Sequence, residues 1–166
     1  MVLNQSVYAK KVKNNISKTL SGIKGKRIAL LGTGNSLLGD DGIGPFLIGS
    51  LKGKTKFYLI DGGSVPENFV YEIIKNKPEV LILADAADLG KPAGTTQIVD
   101  EADISNVSFS SHQMPLSALI KYVKSELPEL KTIFIGIQPK HKDFEKPLSK
   151  EAKAAVAQLA AILEKL

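Results

Sequence analysis

The sequence contains no cysteine, and only two of its 166 residues are histidine. Without cysteine, the chain alone cannot form a disulfide framework, a thiolate nucleophile, a zinc ribbon or an iron–sulfur cluster. Two histidines, His112 and His141, are also too few for a His-rich metal site within one chain. These absences exclude several large classes of enzyme and metalloprotein.

Long hydrophobic runs are missing as well. The apolar runs, such as residues 28–31 and 80–84, are far shorter than the roughly 18 residues that a membrane-spanning helix needs. The N-terminal residues lack the apolar stretch of roughly 7–15 residues that marks a secretory signal. We therefore expect a cytoplasmic protein.

Acidic residues are absent from the first 27 positions, which carry seven lysines and arginines. Residues 28–166 hold 15 lysines against 17 acids, so the formal net charge of +5 comes from the N-terminal segment. No recognised nucleic-acid motif accompanies this charge. We expect no nucleic-acid partner for the chain.

The basic segment has a helical pattern. Its apolar residues recur every three or four positions, with lysines around the polar side, at Tyr8, Val12, Ile16, Leu20 and Ile23. This pattern predicts an amphipathic helix within a basic N-terminal extension, residues 1–26, ahead of a single domain, residues 27–166. We expect the helix to pack on the domain rather than to contact a membrane.

Apolar and β-branched runs bounded by Gly, Pro or Asp predict five strands, at residues 27–31, 56–60, 80–84, 96–99 and 132–137. Helical spacing between and after them predicts helices at residues 41–52, 66–77, 114–127 and 150–166, the last with Ser149 as its N-cap. Several strands are continuously apolar, which is typical of strands buried on both faces. The predicted fold is a three-layer α/β/α domain with a twisted, mostly parallel five-stranded sheet.

A glycine-rich loop, residues 32–45, follows the first predicted strand and leads into the first helix. Ligands bind at the carboxyl ends of strands in such sheets, so function is expected here. A dinucleotide fingerprint fits its first two glycines, but Leu37 occupies the third glycine position. Asp40 and Asp41 would also repel a pyrophosphate at the helix N-terminus. The loop is therefore a poor match to a nucleotide site.

Three residues with metal-ligating side chains stand at strand-to-helix junctions: Asp41, Asp85 and His112. Two oxygens and one nitrogen suit borderline divalent ions such as Ni²⁺, Zn²⁺ or Fe²⁺. Their separations form no known spacing motif, and acids beside a helix start also serve as caps. The residues alone leave both interpretations open.

Other catalytic arrangements match the sequence less well. Zincin, P-loop and serine-elbow motifs are absent, and Ser111 next to His112 makes a poor nucleophile–base pair.

The sequence resembles the maturation endopeptidases of NiFe hydrogenases, particularly the hydrogenase-3 type, from about residue 27 to the C-terminus. The likeness rests on ordered segments: Gly34-Asn35-x-x-x-Gly39-Asp40-Asp41-Gly42-x-Gly44-Pro45, Asp61-Gly62-Gly63-Ser64-x-Pro66-Glu67-Asn68, Asp85-Ala86-x-Asp88, His112-x-Met114-Pro115-Leu116 and Gly136-Ile137-Gln138-Pro139. The resemblance implies a hydrolase, a nickel-dependent endopeptidase that removes the C-terminal extension of a hydrogenase large-subunit precursor after nickel insertion.

The same resemblance implies roles for individual residues. The family's metal-contacting positions fall on Asp41, Asp85 and His112, with nickel supplied by the substrate rather than held permanently by the protease. We expect further residues to line or support the substrate cleft, namely Gly39, Asp40, Asp61, Gly62, Gly63 and Gln138. We interpret His141, in a Lys-His-Lys run, as solvated surface. The alternative function is a non-catalytic nickel-binding maturation chaperone.

Overall fold

The computed structural model describes residues 15–106, 108–109 and 115–166. The strands are β1 (Ile28–Thr33), β2 (Tyr58–Gly63), β3 (Val80–Asp88), β4 (Thr96–Val99), β5 (Ser108–Phe109) and β6 (Lys131–Ile137). The helices are α1 (residues 15–21), α2 (Ile43–Leu51), α3 (Val70–Asn76), α4 (Leu116–Glu126) and α5 (Lys150–Leu163). Short 3-10 turns cover Gly39–Gly42, Pro66–Phe69 and Glu101–Asn106.

The strands form a sheet of order β2-β1-β3-β6-β4, with β5 paired to β3. β1, β2, β3 and β6 are parallel, whereas β4 runs antiparallel to β6. The predicted mostly parallel five-stranded sheet is confirmed. β3 continues to Asp88, beyond the predicted end at residue 84, because its last two residues pair with the short antiparallel β5.

Side chains of successive strand residues point to opposite faces of the sheet, and each face has its own apolar core. Leu30, Ile82 and Ile135 pack on one face with residues of α1, α2 and α5. Leu31, Leu83 and Phe134 pack on the other face with residues of α3 and α4. The central strands are therefore buried on both sides, which explains their continuously apolar sequence.

α1 packs on the face that also carries α2 and α5. Ile16, Leu20 and Ile23 are buried in that core, and their spacing is the one that predicted an amphipathic helix. Tyr8 and Val12 lie outside the described residues, and the boundary between residues 26 and 27 stays a prediction. No helix in the described part of the chain is long and apolar enough to cross a membrane.

Candidate functional site

The glycine-rich loop joins β1 to α2 at the carboxyl edge of the sheet, and Gly34 is its most crowded position. A Cβ atom there would lie 1.8 Å from the Asp41 carbonyl oxygen and 3.5 Å from Asp85 Oδ1. The backbone φ of Gly34 is +132°, which L side chains rarely adopt. Its N–H donates to the Gly63 carbonyl at 2.8 Å. Gly34 thus lets the loop, β2 and the side chain of Asp85 approach one another.

Asp41 and Asp85 are both buried at this edge, with 2% and 1% of their surface exposed. Asp41 lies in the 3-10 turn before α2, and its Oδ2 accepts a hydrogen bond from the Asn35 N–H at 3.0 Å. Its Oδ1 lies 3.0 Å from the Lys142 ammonium. Asp85 lies within β3, where it pairs with Gly136 of β6. The structure thus brings two of the three predicted metal contacts to the same edge.

The third predicted contact, His112, lies outside the described residues. Among the residues that are described, no group of three or more His, Cys, Asp or Glu side chains could hold a metal ion. The metal-contacting roles of Asp41, Asp85 and His112 therefore stay predictions.

Asp40, next to Asp41 in the same turn, points into the protein and is fully buried. Its Oδ1 accepts from the Ser149 N–H at 2.6 Å, and its Oδ2 accepts from the Lys140 N–H and the Ser149 hydroxyl at 2.8 and 2.7 Å. Burial alone would raise the pKa of Asp40, but these hydrogen bonds outweigh it and the pKa is lowered. Asp40 ties the turn to the start of α5.

The segment between β6 and α5 also reaches the edge, and sequence reasoning missed its contribution. We predicted that His141 is solvated surface, but the residue is only partly exposed. Its Nδ1 is buried and would lie 2.5 Å from a Cβ atom on Gly39. That prediction was wrong because two flanking lysines suggested a fully exposed run. The following residue, Lys142, reaches Asp41. The available signal was the segment's position after a parallel strand, at the same carboxyl edge.

An open cleft of about 520 Å³ begins beside the turn. Its lining includes Ser36, Gly42 and the Asp61 carboxylate, together with the apolar side chains of Pro45, Phe46 and Leu148. Of the six predicted cleft residues, all within the described chain, Asp61 lines this cleft and the other five do not.

The remaining predicted cleft residues support the loops around the edge. Gly62 is buried, and a Cβ atom there would lie 2.8 Å from Leu31 Cδ1. The Gly63 carbonyl oxygen accepts a hydrogen bond from the Gly34 N–H. The Gln138 side-chain oxygen accepts from the Leu89 N–H at 2.7 Å, which holds the loop after β3. A direct contact of Gln138 with substrate stays a prediction.

Comparison with known proteins identifies the family. Residues 47–166 match the family model of the HycI hydrogenase maturation protease. The chain belongs to the hydrogenase maturation protease family. It is therefore a hydrolase, and the predicted family and enzyme class are confirmed.

Relatives of this family match over most of the chain. The hydrogenase 3 maturation protease of Escherichia coli K12 is 39% identical over 138 residues, which cover 81% of this chain and 87% of the relative. The solution structure of endopeptidase HycI from E. coli matches with a TM-score of 0.75 at 37% identity, covering 84% of this chain and 90% of that one. The crystal structure of the NiFe hydrogenase maturation protease HycI from Thermococcus kodakarensis matches with a TM-score of 0.77 at 28% identity, covering 86% and 94%.

Proposed function

We propose that this maturation protease removes the C-terminal extension of a NiFe hydrogenase large-subunit precursor after nickel insertion, recognising the nickel through Asp41, Asp85 and His112. The observation that supports this proposal most directly is the Asp41 carboxylate. It is almost fully buried, yet one of its oxygens faces a cation, the Lys142 ammonium. A second buried carboxylate, Asp85, lies at the same edge.

In this proposal the nickel is part of the substrate. The chain has no cysteine, so it offers no thiolate, and thiolates of the precursor would hold the ion. Carboxylate oxygens and an imidazole nitrogen are suitable additional ligands for Ni²⁺. A precursor without nickel would lack this anchor, because it would bring no cation for the two buried carboxylates to attract. Cleavage would then report that metal insertion is complete.

The open cleft supports the proposal as a place for the peptide. Gly42, the residue after Asp41, is one of the residues that line it. Its wall combines apolar side chains with the Asp61 carboxylate, which suits an extended peptide segment. Nickel beside the scissile bond would polarise the carbonyl or activate a water molecule for hydrolysis. Asp41 and Asp85 would fix the position of the ion relative to the bond.

The test is incubation of the protease with a nickel-loaded large-subunit precursor, followed by mass spectrometry of the precursor. We expect the unaltered protease to shorten it, and Asp41→Asn or Asp85→Asn to slow shortening by about 100-fold or more, as for loss of groups that position reacting atoms. Asp100→Asn, an exposed acid after β4, is the matched control and should process normally. Circular dichroism of each variant shows whether it has folded.

Three outcomes would contradict the proposal. If nickel-free precursor is shortened at the same rate, the protease does not recognise nickel. If both Asp variants shorten the precursor normally, Asp41 and Asp85 do not have the proposed roles. A stoichiometric complex with nickel-loaded precursor and no released peptide would instead support a nickel-binding chaperone.

A further inference from the structure

The ammonium group of Lys142 forms an ion pair with Asp41, one of the predicted nickel ligands. Its Nζ lies 3.0 Å from Asp41 Oδ1, while the other oxygen of that carboxylate accepts the Asn35 N–H. The Asp41 side chain is 3% exposed and that of Lys142 is 36% exposed. Oδ1 is buried and no hydrogen-bond donor is aligned on it, so the ammonium is its ion-pair partner among the described residues. A cation that coordinates Oδ1 would have to replace this ion pair.

The backbone around Lys142 is fixed to the turn that carries Asp41. The Lys140 N–H donates to Asp40 Oδ2 at 2.8 Å, and the Asp40 N–H donates to the His141 carbonyl at 3.0 Å. Further along, the Glu145 N–H donates to the Leu37 carbonyl at 2.8 Å. Because these hydrogen bonds fix the backbone before and after Lys142, the Cα atom of Lys142 has a defined position close to Asp41.

The other lysines of this segment have different partners. Lys140 pairs with Glu151 at 2.8 Å, and Lys146 pairs with Asp143 at 2.8 Å, both at the surface. Contact with the buried Asp41 carboxylate thus depends on position 142 and not on the general positive charge of the segment.

We propose that Lys142 is a specificity-determining residue that competes with free divalent cations for Asp41. The inference deepens the proposed function, on which its biological meaning rests. An oxygen paired with an ammonium must give up that pair before it can coordinate a metal ion, because the two cations repel each other. A free hydrated ion has to displace Lys142 unaided. Nickel carried by the precursor arrives with additional peptide contacts that offset this cost.

The partial exposure of Lys142 makes the exchange feasible. Its long, flexible stem can return the ammonium to water when Asp41 takes another cation. The pair also neutralises a buried carboxylate before substrate arrives, when an uncompensated charge would be costly. Lys142 therefore weakens binding of nickel alone without closing the edge to nickel in the precursor.

The first experiment is calorimetric titration of nickel sulfate into the purified protease, with no precursor present. Lys142→Met should bind nickel about tenfold more tightly than the unaltered protein. Lys142→Arg, which keeps the charge, should resemble the unaltered protein. Lys146→Met, which removes a surface charge from the same segment, is the control for net charge and should also leave the affinity unchanged. Adding Asp41→Asn to Lys142→Met should abolish the gain.

A second experiment uses the unaltered protein and does not depend on how a variant folds. Zinc, a diamagnetic divalent probe, should shift the NMR signal of the Lys142 ε-methylene as its ammonium leaves Asp41, while the Lys146 signal stays in place. A Lys142 signal that does not move at saturating zinc would overturn the proposal. So would a folded Lys142→Met variant whose nickel affinity equals that of the unaltered protein.

These measurements separate the inference from the proposed function. Failure of the unaltered protease to shorten nickel-loaded precursor would refute the processing role, whereas the affinity and NMR results decide the role of Lys142. Where processing is observed, free nickel should inhibit Lys142→Met at about tenfold lower concentration than the unaltered enzyme, the shift expected from tenfold tighter binding. Equal inhibition of both enzymes would count against the competition.

Discussion

The surroundings of Asp40 and Asp41 differ sharply although the two residues are adjacent and almost equally buried. Asp40 receives hydrogen bonds from two backbone N–H groups and one hydroxyl, all fixed within the fold. Asp41 receives one backbone N–H and faces the partly exposed ammonium of Lys142. The kind of partner, rather than the degree of burial, therefore distinguishes the structural acid from the candidate functional one.

Local backbone geometry produces this division. The two residues lie in a 3-10 turn, which has three residues per turn, so neighbouring side chains point about 120° apart. One carboxylate can then reach the start of α5 while the other stays at the carboxyl edge of the sheet. Two successive acids are needed because no single side chain can do both.

The largest expected effect comes from Asp40→Asn. The amide replaces an accepting oxygen by a donor, which then faces donors from Lys140 or Ser149. We expect the free energy of unfolding to fall by about 3 kcal/mol, since hydrogen bonds to charged groups contribute about 1.5–3 kcal/mol each. Urea denaturation measures the change. Asp143→Asn removes an exposed acid and is the control. If Asp40→Asn lowers the free energy of unfolding no more than Asp143→Asn does, the buried hydrogen bonds of Asp40 add no particular stability.

Ser149→Ala should have the next largest effect. The hydroxyl donates to Asp40 and accepts from the Ala152 N–H at 3.1 Å, so the change removes both a partner of Asp40 and the N-cap of α5. We expect a loss of about 1–2 kcal/mol in urea denaturation, typical of a deleted cap with a second hydrogen bond. Ser125→Ala, an exposed serine near the end of α4, should cost much less. Similar losses for both serines would contradict the buried role of Ser149.

Sequence patterns predicted most of the fold because burial dictates them. Strands covered on both faces are apolar throughout, as in β1, β3 and β6. The edge strands β2 and β4 were located by their short apolar and β-branched runs bounded by Gly, Pro or Asp. β5 could not be predicted, because two residues carry no periodicity and their pairing depends on the extension of β3. The end of β3 was missed for a related reason. Asp85 looked like a strand terminus, whereas pairing of Asp85 and Ala86 with β6, and of Ala87 and Asp88 with β5, keeps the backbone extended.

The candidate site could be predicted only in part. Asp41 and Asp85 were found because parallel strands bring their carboxyl ends to one edge. Lys142 was missed because its contact spans about 100 positions of sequence, and an ion pair at that separation leaves no spacing pattern. Asp40 was predicted as a cleft or capping residue, and its hydrogen bonds to Lys140 and Ser149 depend on the same long-range approach.

A smaller effect on stability is expected from Asp41→Asn. The amide oxygen can still accept from the Asn35 N–H, and the ammonium of Lys142 can return to water because its side chain is 36% exposed. We expect urea denaturation to show a change below about 1 kcal/mol, as for a partly exposed ion pair. A loss as large as that of Asp40→Asn would mean that both acids are structural, and would erase the contrast between them.

The smallest expected effect is a change in the stability contribution of Asp40 at acidic pH. The pKa of Asp40 is lower in the folded protein than its ordinary value, so its ionised form stabilises the fold above the unfolded pKa, near 4. That contribution is lost as the pH falls through the folded pKa of Asp40. The stability difference between the unaltered protein and Asp40→Asn should therefore be constant around neutrality and shrink below about pH 4. Urea denaturation at several pH values measures it. A stability difference that stays the same from neutral pH to about pH 3 would show that ionised Asp40 does not stabilise the fold.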